Sequence, residues 1–232
     1  MGLTLPGPSE KAEVVRAMFD RIAPRYDLLN AVISLGLDRR WRRAAIAAAA
    51  LAPGQLAIDV ACGTGDLAEL AAAAGAYALG VDFAPSMLGA ARRRRPGALL
   101  VRADAAALPL ADGVGDAVVC GFALRNFVAI PPVLAEAARV LKPGGRLVLL
   151  EVAAPEHRLA HWAHGVYFTR IVPVIGALLA DRWAYTYLPR SVAYLPETPA
   201  LLDMIRAAGF RDARVRRLGG GAAQLLTGHR AA

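Results

Sequence analysis

The apolar positions change their rhythm along the chain. From residue 10 to 51 they recur at helical spacing: Val14, Val15, Met18, Phe19 and Ile22 share one face, with Ser9 as the expected cap and Pro24 as the breaker. A second helix is predicted over about 26–34, and a third runs from Asp38, read as its N-cap, to Leu51 before Pro53-Gly54. The next pattern is short apolar runs separated by helices. Leu56–Ala61, Tyr77–Val81, Leu99–Val101, Val114–Gly121 and Arg146–Glu151 read as strands, with helices to Ala74, over Pro85–Arg94 and over Pro131–Leu141, and with a turn at Lys142-Pro143-Gly144-Gly145. Such alternation predicts a parallel sheet with right-handed crossovers.

The alternation stops after Glu151 for about 45 residues. Residues 156–195 hold three His, two Trp and four Tyr in helical patches broken by Pro173, Gly176 and Pro189. A helix at Thr198–Ala208 and strands at Ala213–Leu218 and Ala223–Gly228 follow, and the short Gly219-Gly220-Gly221 link makes the last two an antiparallel hairpin. The expected architecture is α/β, one doubly wound Rossmann-like domain of seven strands. Residues 1–52 form a helical N-terminal lid, 53–152 the cofactor-binding core, 153–197 a helical insertion after strand five, and 198–232 the C-terminal helix and hairpin.

Composition narrows the setting. The 232 residues are 56% hydrophobic, much of it Ala, yet no stretch approaches the roughly 20 apolar residues needed to span a bilayer. The N-terminus has neither the cationic start nor the apolar run of a signal peptide, and Cys62 and Cys120 lie in apolar runs without a disulfide framework, so a cytoplasmic protein is expected. Formal net charge is +8 and nearly all of the positive charge is Arg, which suits an anionic membrane face. The run Arg92–Arg95 reads as the solvated end of a helix.

The first strand ends in Asp59-Val60-Ala61-Cys62-Gly63-Thr64-Gly65-Asp66. Glycines at 63 and 65 let the backbone turn tightly and bring N–H groups to a ligand at the start of the next helix. Strand two ends in Asp82, placed to accept hydrogen bonds from a ribose diol. Ala68 stands where a dinucleotide fingerprint wants a third glycine, and Asp59 and Asp66 would repel a pyrophosphate, whereas acids and backbone N–H groups together suit a methionine moiety. The loop therefore favours S-adenosylmethionine over NAD. No Gly-Lys-Ser/Thr motif exists, which removes a P-loop. Strand three leads into Asp104-Ala105, expected at the adenine.

The chain is similar to the ubiquinone/menaquinone biosynthesis C-methyltransferase family, a class I methyltransferase family, over nearly its whole length. The carriers are Phe19-Asp20 with Tyr26-Asp27-Leu28-Leu29-Asn30, Ser34 and Trp41, then Phe122-Ala123-Leu124-Arg125-Asn126, then Arg139-Val140-Leu141-Lys142-Pro143-Gly144-Gly145-Arg146-Leu147 ending at Leu150-Glu151. Tyr185-x-Tyr187-Leu188-x-x-Ser191 and Ala208-Gly209-Phe210 continue it. The chain departs from the family pattern at Asp38, where His is usual, at Ala153, where Ser is usual, and at Leu29, where Met is usual.

The resemblance implies transfer of a methyl group from S-adenosylmethionine to a ring carbon of a prenylated hydroquinone, as in demethylmenaquinol to menaquinol. The alternatives are a polyprenyl benzoquinol or another small or lipid acceptor, an RNA methyltransferase, and a non-catalytic S-adenosylmethionine-binding protein. An RNA enzyme of this fold would carry a base-flipping turn containing Pro, and Gly121-Phe122-Ala123-Leu124 has none. The expected cofactor contacts are Asp59, Gly63, Thr64, Gly65, Asp82, Asp104, Ala105 and Gly121. Arg125, Asn126 and Tyr26 are the expected catalytic residues: the guanidinium lowers a phenol's pKa, the amide orients a hydroxyl or water, and the tyrosine bonds the ring. Tyr167, Tyr185, Tyr187 and Ser191 are the expected substrate contacts. His157, His161 and His164 share a helix face, but methyl transfer needs no metal and none is expected. The expected partners are the hydroquinone and, transiently, an anionic membrane at its inner face; Ile171–Ala180 reads by default as core, with a channel for the isoprenoid tail or a dip into the bilayer surface as alternatives; no nucleic acid is expected, and a homodimer stays open.

Overall fold

The computed structural model describes residues 7–155, 157, 165–167, 170, 172 and 191–232. The N-terminal part folds into helices α1 (Pro8–Ile22), α2 (Tyr26–Ile33) and α3 (Leu37–Ala49). Helix α1 starts one residue before Ser9: Gly7 is the N-cap and Pro8 takes the first helical position, where its missing N–H costs nothing. Val15, Met18 and Ile22 are buried against Ala84 and Met87 of the core. Asp38 is not a cap either. Gly36, with φ of 75°, precedes the helix, and Asp38 lies buried in the first turn of α3.

The sheet has the order β3-β2-β1-β4-β5-β7-β6. Its strands are β1 (Leu56–Val60), β2 (Tyr77–Asp82), β3 (Leu99–Arg102), β4 (Gly115–Gly121), β5 (Leu141–Val152), β6 (Phe210–Leu218) and β7 (Ala223–Arg230). The five strands β1–β5 are parallel to their neighbours, and β7 runs antiparallel to both β5 and β6. Helices α4 (Asp66–Ala73), α5 (Pro85–Arg94) and α6 (Ile130–Val140) connect them. β5 begins earlier than the apolar run suggests. Leu141 pairs with Gly115 and Arg146 with Ala117, so Lys142-Pro143-Gly144-Gly145 bulges out of the strand as extra residues.

The central strands are covered on both faces, which is why their apolar runs do not alternate. One layer joins Ile58, Val60, Val118 and Leu147 to α6 and the helix Thr198–Ala207. The other joins Ala57, Val119, Val148 and Leu150 to Leu67 and Ala71 of α4 and to Trp41, Ala45 and Ala49 of α3. The order reverses between β1 and β4, so their carboxyl ends open into a crevice. No helix among the described residues is long and apolar enough to cross a membrane.

Candidate functional site

Two turns build the crevice. After β1, Ala61, Gly63 and Gly65 all have left-handed backbone, with φ of 54°, 56° and 87°, and Gly65 is the N-cap of α4. After β4, Phe122 takes φ of 59°, a conformation that costs a bulky residue roughly 1–3 kcal/mol and persists where surroundings enforce it. The Phe122 N–H donates to the Leu150 carbonyl at 2.7 Å, and its own carbonyl accepts from Arg125 Nη1 at 2.9 Å and Asn126 Nδ2 at 3.5 Å. The strain thus aims an aromatic ring into the crevice while the following 3-10 turn, Leu124–Asn126, holds it.

A first cavity, about 310 Å³, lies over the sheet ends and is lined by Gly63, Asp82, Asp104, Ala105, Gly121 and Asn126, with Phe83 and Met87 supplying apolar wall. Asp82 is braced: Oδ2 accepts from the Gly63 N–H and Oδ1 from the Ala84 N–H, each at 2.8 Å. Burial pushes its carboxyl above the usual range. Further lone pairs on each oxygen stay open to a diol. Asp104 is exposed, its Oδ1 accepting from the Ala106 N–H at 2.9 Å. Asn126 is buried, and its Oδ1 has no hydrogen-bond partner among the described residues.

Three of the residues expected at the cofactor are not on this wall. Asp59 is buried below it, accepts from the Ala68 N–H at 2.9 Å, and is pushed up to about 8 by burial. Thr64 is buried, with its hydroxyl donating to Asp27 of α2 at 2.6 Å, and Gly65 turns away beside Ala91.

A second cavity, about 490 Å³, sits between α2, α3 and the β4 turn. Its walls are mostly apolar, with polar groups from Tyr26, Asn30, Ser34, Asp38, Arg42 and Arg125. Phe19, Tyr26 and Phe122 belong to the walls of both cavities. Tyr26 meets Phe19 edge to face at 5.9 Å, and it bonds Asn30; burial raises its phenol pKa. Arg125 is fixed on three sides, pairing with the fully buried Glu151, donating from Nη1 to the Phe122 carbonyl and from Nε to Ser191 Oγ at 3.2 Å. Ser191 is buried behind Arg125 and is absent from the cavity wall. Tyr167 lines the cavity and donates to the Val32 and Ile33 carbonyls at 3.3 and 3.1 Å. Tyr185, Tyr187, His161 and His164 lie outside the described residues, as does Ile171–Ala180 apart from Val172.

Two groups of this site escaped the sequence reading. Glu151, the counter-charge of Arg125, had a signal in being an acid inside an apolar strand. The second group is the chain Ser34, Asp38, Arg42, in which Asp38 and Arg42 are buried. Asp38 Oδ1 accepts from Ser34 Oγ at 2.8 Å, Oδ2 pairs with Arg42, and Arg42 Nε reaches Asp66 at 3.3 Å. The Arg42 guanidinium also sits 5.3 Å from the Phe122 ring centroid, and Trp41 packs on the same ring at 6.3 Å.

The geometry is two adjoining chambers with one aromatic partition. The first offers carboxylates and small residues to a nucleoside, and the second offers apolar wall with two cations to a flat, ionisable ring. Residues 8–230 match the ubiE/COQ5 methyltransferase family. A demethylmenaquinone methyltransferase of Deinococcus radiodurans is 47% identical over 226 residues, covering 94% of this chain and 93% of that protein. One of Roseiflexus sp. (strain RS-1) is 45% identical over 229 residues, covering 97% and 96%. A ubiquinone/menaquinone biosynthesis C-methyltransferase of Syntrophotalea carbinolica is 44% identical, covering 93% of each. Among solved structures, an S-adenosylmethionine-dependent methyltransferase of Thermotoga maritima superposes with a TM-score of 0.63 at 21% identity, covering 93% of this chain and 99% of that one. Phosphoethanolamine N-methyltransferase 2 of Haemonchus contortus, in complex with S-adenosylmethionine, gives 0.59 at 14% identity, covering 78% and 50%. These two likenesses show the fold.

Proposed function

The chain belongs to the ubiE/COQ5 methyltransferase family and is an S-adenosylmethionine-dependent methyltransferase, and from that premise we propose that it methylates a ring carbon of a prenylated hydroquinone, converting demethylmenaquinol to menaquinol. The observation that carries this reading is the shared partition of Phe19, Tyr26 and Phe122 between a nucleoside-sized chamber and an apolar one. The names of the Deinococcus and Roseiflexus relatives support the naphthoquinol as acceptor.

Asp82 takes the ribose hydroxyls, Asp104 and Ala105 border the adenine, and Asn126 Oδ1 accepts from the amino acid end of the cofactor. Bound there, S-adenosylmethionine supplies an electrophilic methyl group on a sulfonium. The chain's own residues hold the ring carbon about 3 Å from that methyl and raise its electron density. Arg125, locked by Glu151 and Ser191, faces the second chamber with a positive charge that stabilises a phenolate. The Tyr26 hydroxyl donates to the ring oxygen. Phe122 and Trp41 exclude water from the carbon that reacts. Residues 1–52 serve as the lid and 153–197 as the substrate insertion.

The isoprenoid tail leaves the second chamber between Leu35, Leu37 and Val192, which line it and are themselves exposed, Leu35 at 74%. Exposed Arg39 and Arg40 flank that rim. This combination supports transient contact with an anionic membrane, from which such a substrate is drawn. Salt-sensitive flotation with anionic liposomes tests it, and flotation unaffected by salt or absent altogether removes it.

The deciding experiment incubates the protein with S-adenosylmethionine and demethylmenaquinol, with a polyprenyl benzoquinol in a parallel arm. A one-methyl gain in the mass of the naphthoquinone is expected. Cofactor binding without methyl gain on either quinol overturns the proposal.

A further inference from the structure

Methylation of a hydroquinone carbon requires a ring hydroxyl to lose its proton, and neither Arg125 nor Tyr26 can take it. A guanidinium has no free acceptor site and stays charged at any physiological pH. A phenol whose pKa is raised by burial donates near neutrality and does not accept. Among the described residues that line the second chamber, Asp38 is the one carboxylate.

We infer that Asp38 is the proton acceptor of the reaction, an inference that rests on the quinol reading above. It is not the cap of α3, which is Gly36, but lies in the first turn. The side chain is buried and lines the chamber. Ser34 Oγ fixes Oδ1 at 2.8 Å and Arg42 fixes Oδ2. These occupy two of about four lone-pair sites, so the carboxylate can still receive a proton.

Transfer from a phenol to a carboxylate is uphill by several pH units in water. Arg125 lines the same chamber and lowers that cost by stabilising the phenolate as it forms, while Arg42, paired with Asp38, keeps the acceptor ionised before the transfer. The step balances as follows. The ring O–H bond breaks and its proton passes to Asp38. The electron pair pushed into the ring forms the new carbon–carbon bond to the methyl, and the carbon–sulfur bond breaks to leave neutral S-adenosylhomocysteine. The resulting ring ketone then loses its C–H proton to water and regains the O–H proton from Asp38, restoring the aromatic ring and the carboxylate.

Asp38 is faced by Ser34, Asn30 and Tyr26 of α2, by Arg42 of its own helix, by Asp66 of α4 through Arg42, by Arg125 after β4, and by Tyr167. Of these, Asp66 is the one other carboxylate. The test is single-turnover methyl transfer to demethylmenaquinol as a function of pH in the unaltered protein, in Asp38→Asn and in Asp38→His, with calorimetric S-adenosylmethionine binding as the control for folding. Asp38→Asn is expected to be slower by about 10²–10⁴-fold with donor affinity within threefold. Asp38→His is expected to restore part of the rate lost in Asp38→Asn, since a neutral imidazole can accept a proton where an amide cannot. A rate in Asp38→Asn within threefold of the unaltered protein overturns the inference. If Asp38→Asn does not fold, Asp38→His decides alone, and a pH–rate profile unchanged from that of the unaltered protein overturns it. No transfer to either quinol by the unaltered protein sinks the functional reading, and this inference with it.

Discussion

Thr64 in the turn after β1 donates its hydroxyl to Asp27 at 2.6 Å, tying helix α2 to that turn. The second carboxylate oxygen of Asp27 accepts from Arg94 of α5 at 3.0 Å, and the same Arg94 nitrogen reaches Asp66 at 2.9 Å. One short acid thus joins three elements around the first chamber, although it lines neither cavity.

Asp27→Ala should therefore weaken S-adenosylmethionine binding by about tenfold while costing less than about 1 kcal/mol of stability, because Asp27 and Arg94 are each more than a third exposed. Calorimetric titration and thermal unfolding of the same variant check both halves.

Removing Arg125 has a different signature. In Arg125→Ala, Glu151 keeps the Val152 N–H at 2.8 Å but loses the one counter-charge it has among the described residues, in a fully buried position, for an expected loss of about 3–5 kcal/mol. Arg125→Met with Glu151→Leu should recover most of that stability in urea unfolding and leave methyl transfer abolished.

Asp59 predicts the pH dependence of the ligand-free fold. Its folded value of about 8 lies above the ordinary carboxylate value of 3.8 kept by the unfolded chain. Between these values the folded protein holds the extra proton, so this site's contribution to stability falls as pH rises from about 4 to about 8. Asp59→Asn should flatten that slope in denaturant midpoints taken across the window. An unchanged slope would assign it to other groups.

The aromatic partition can be tested in two grades. Tyr26→Phe keeps the ring and loses the hydroxyl bonded to Asn30, and should slow single-turnover transfer by about three- to tenfold. Tyr26→Ala opens one chamber into the other and should slow it by more than about 10²-fold, since misplaced reactants lose the advantage of orientation.

Much of this was legible in the chain. Tyr77–Asp82 and Gly115–Gly121 are short apolar runs ended by Asp and Gly, Leu56–Val60 runs into the turn at Gly63, and burial of their inner residues on both faces explains that composition. The pairing of Arg125 with Glu151 was not, since it depends on β4 and β5 lying side by side. Asp38 was misread for a physical reason: aspartate is a good cap and also an acid that can be buried with a partner, and only the left-handed Gly36 just ahead of α3 decides between the two. The Lys142–Gly145 turn was found but misplaced, because a bulge and a strand start share the same Gly and Pro signals.

Trp41 packs so tightly against the β6–β7 link that a Cβ on Gly219 would come within 2.6 Å of its ring. The second chamber accordingly runs from Phe19 at one end of the chain to Ala222 near the other. Residues far apart in sequence thus share one wall, and a change in the β6–β7 link is felt at the helix that carries Asp38.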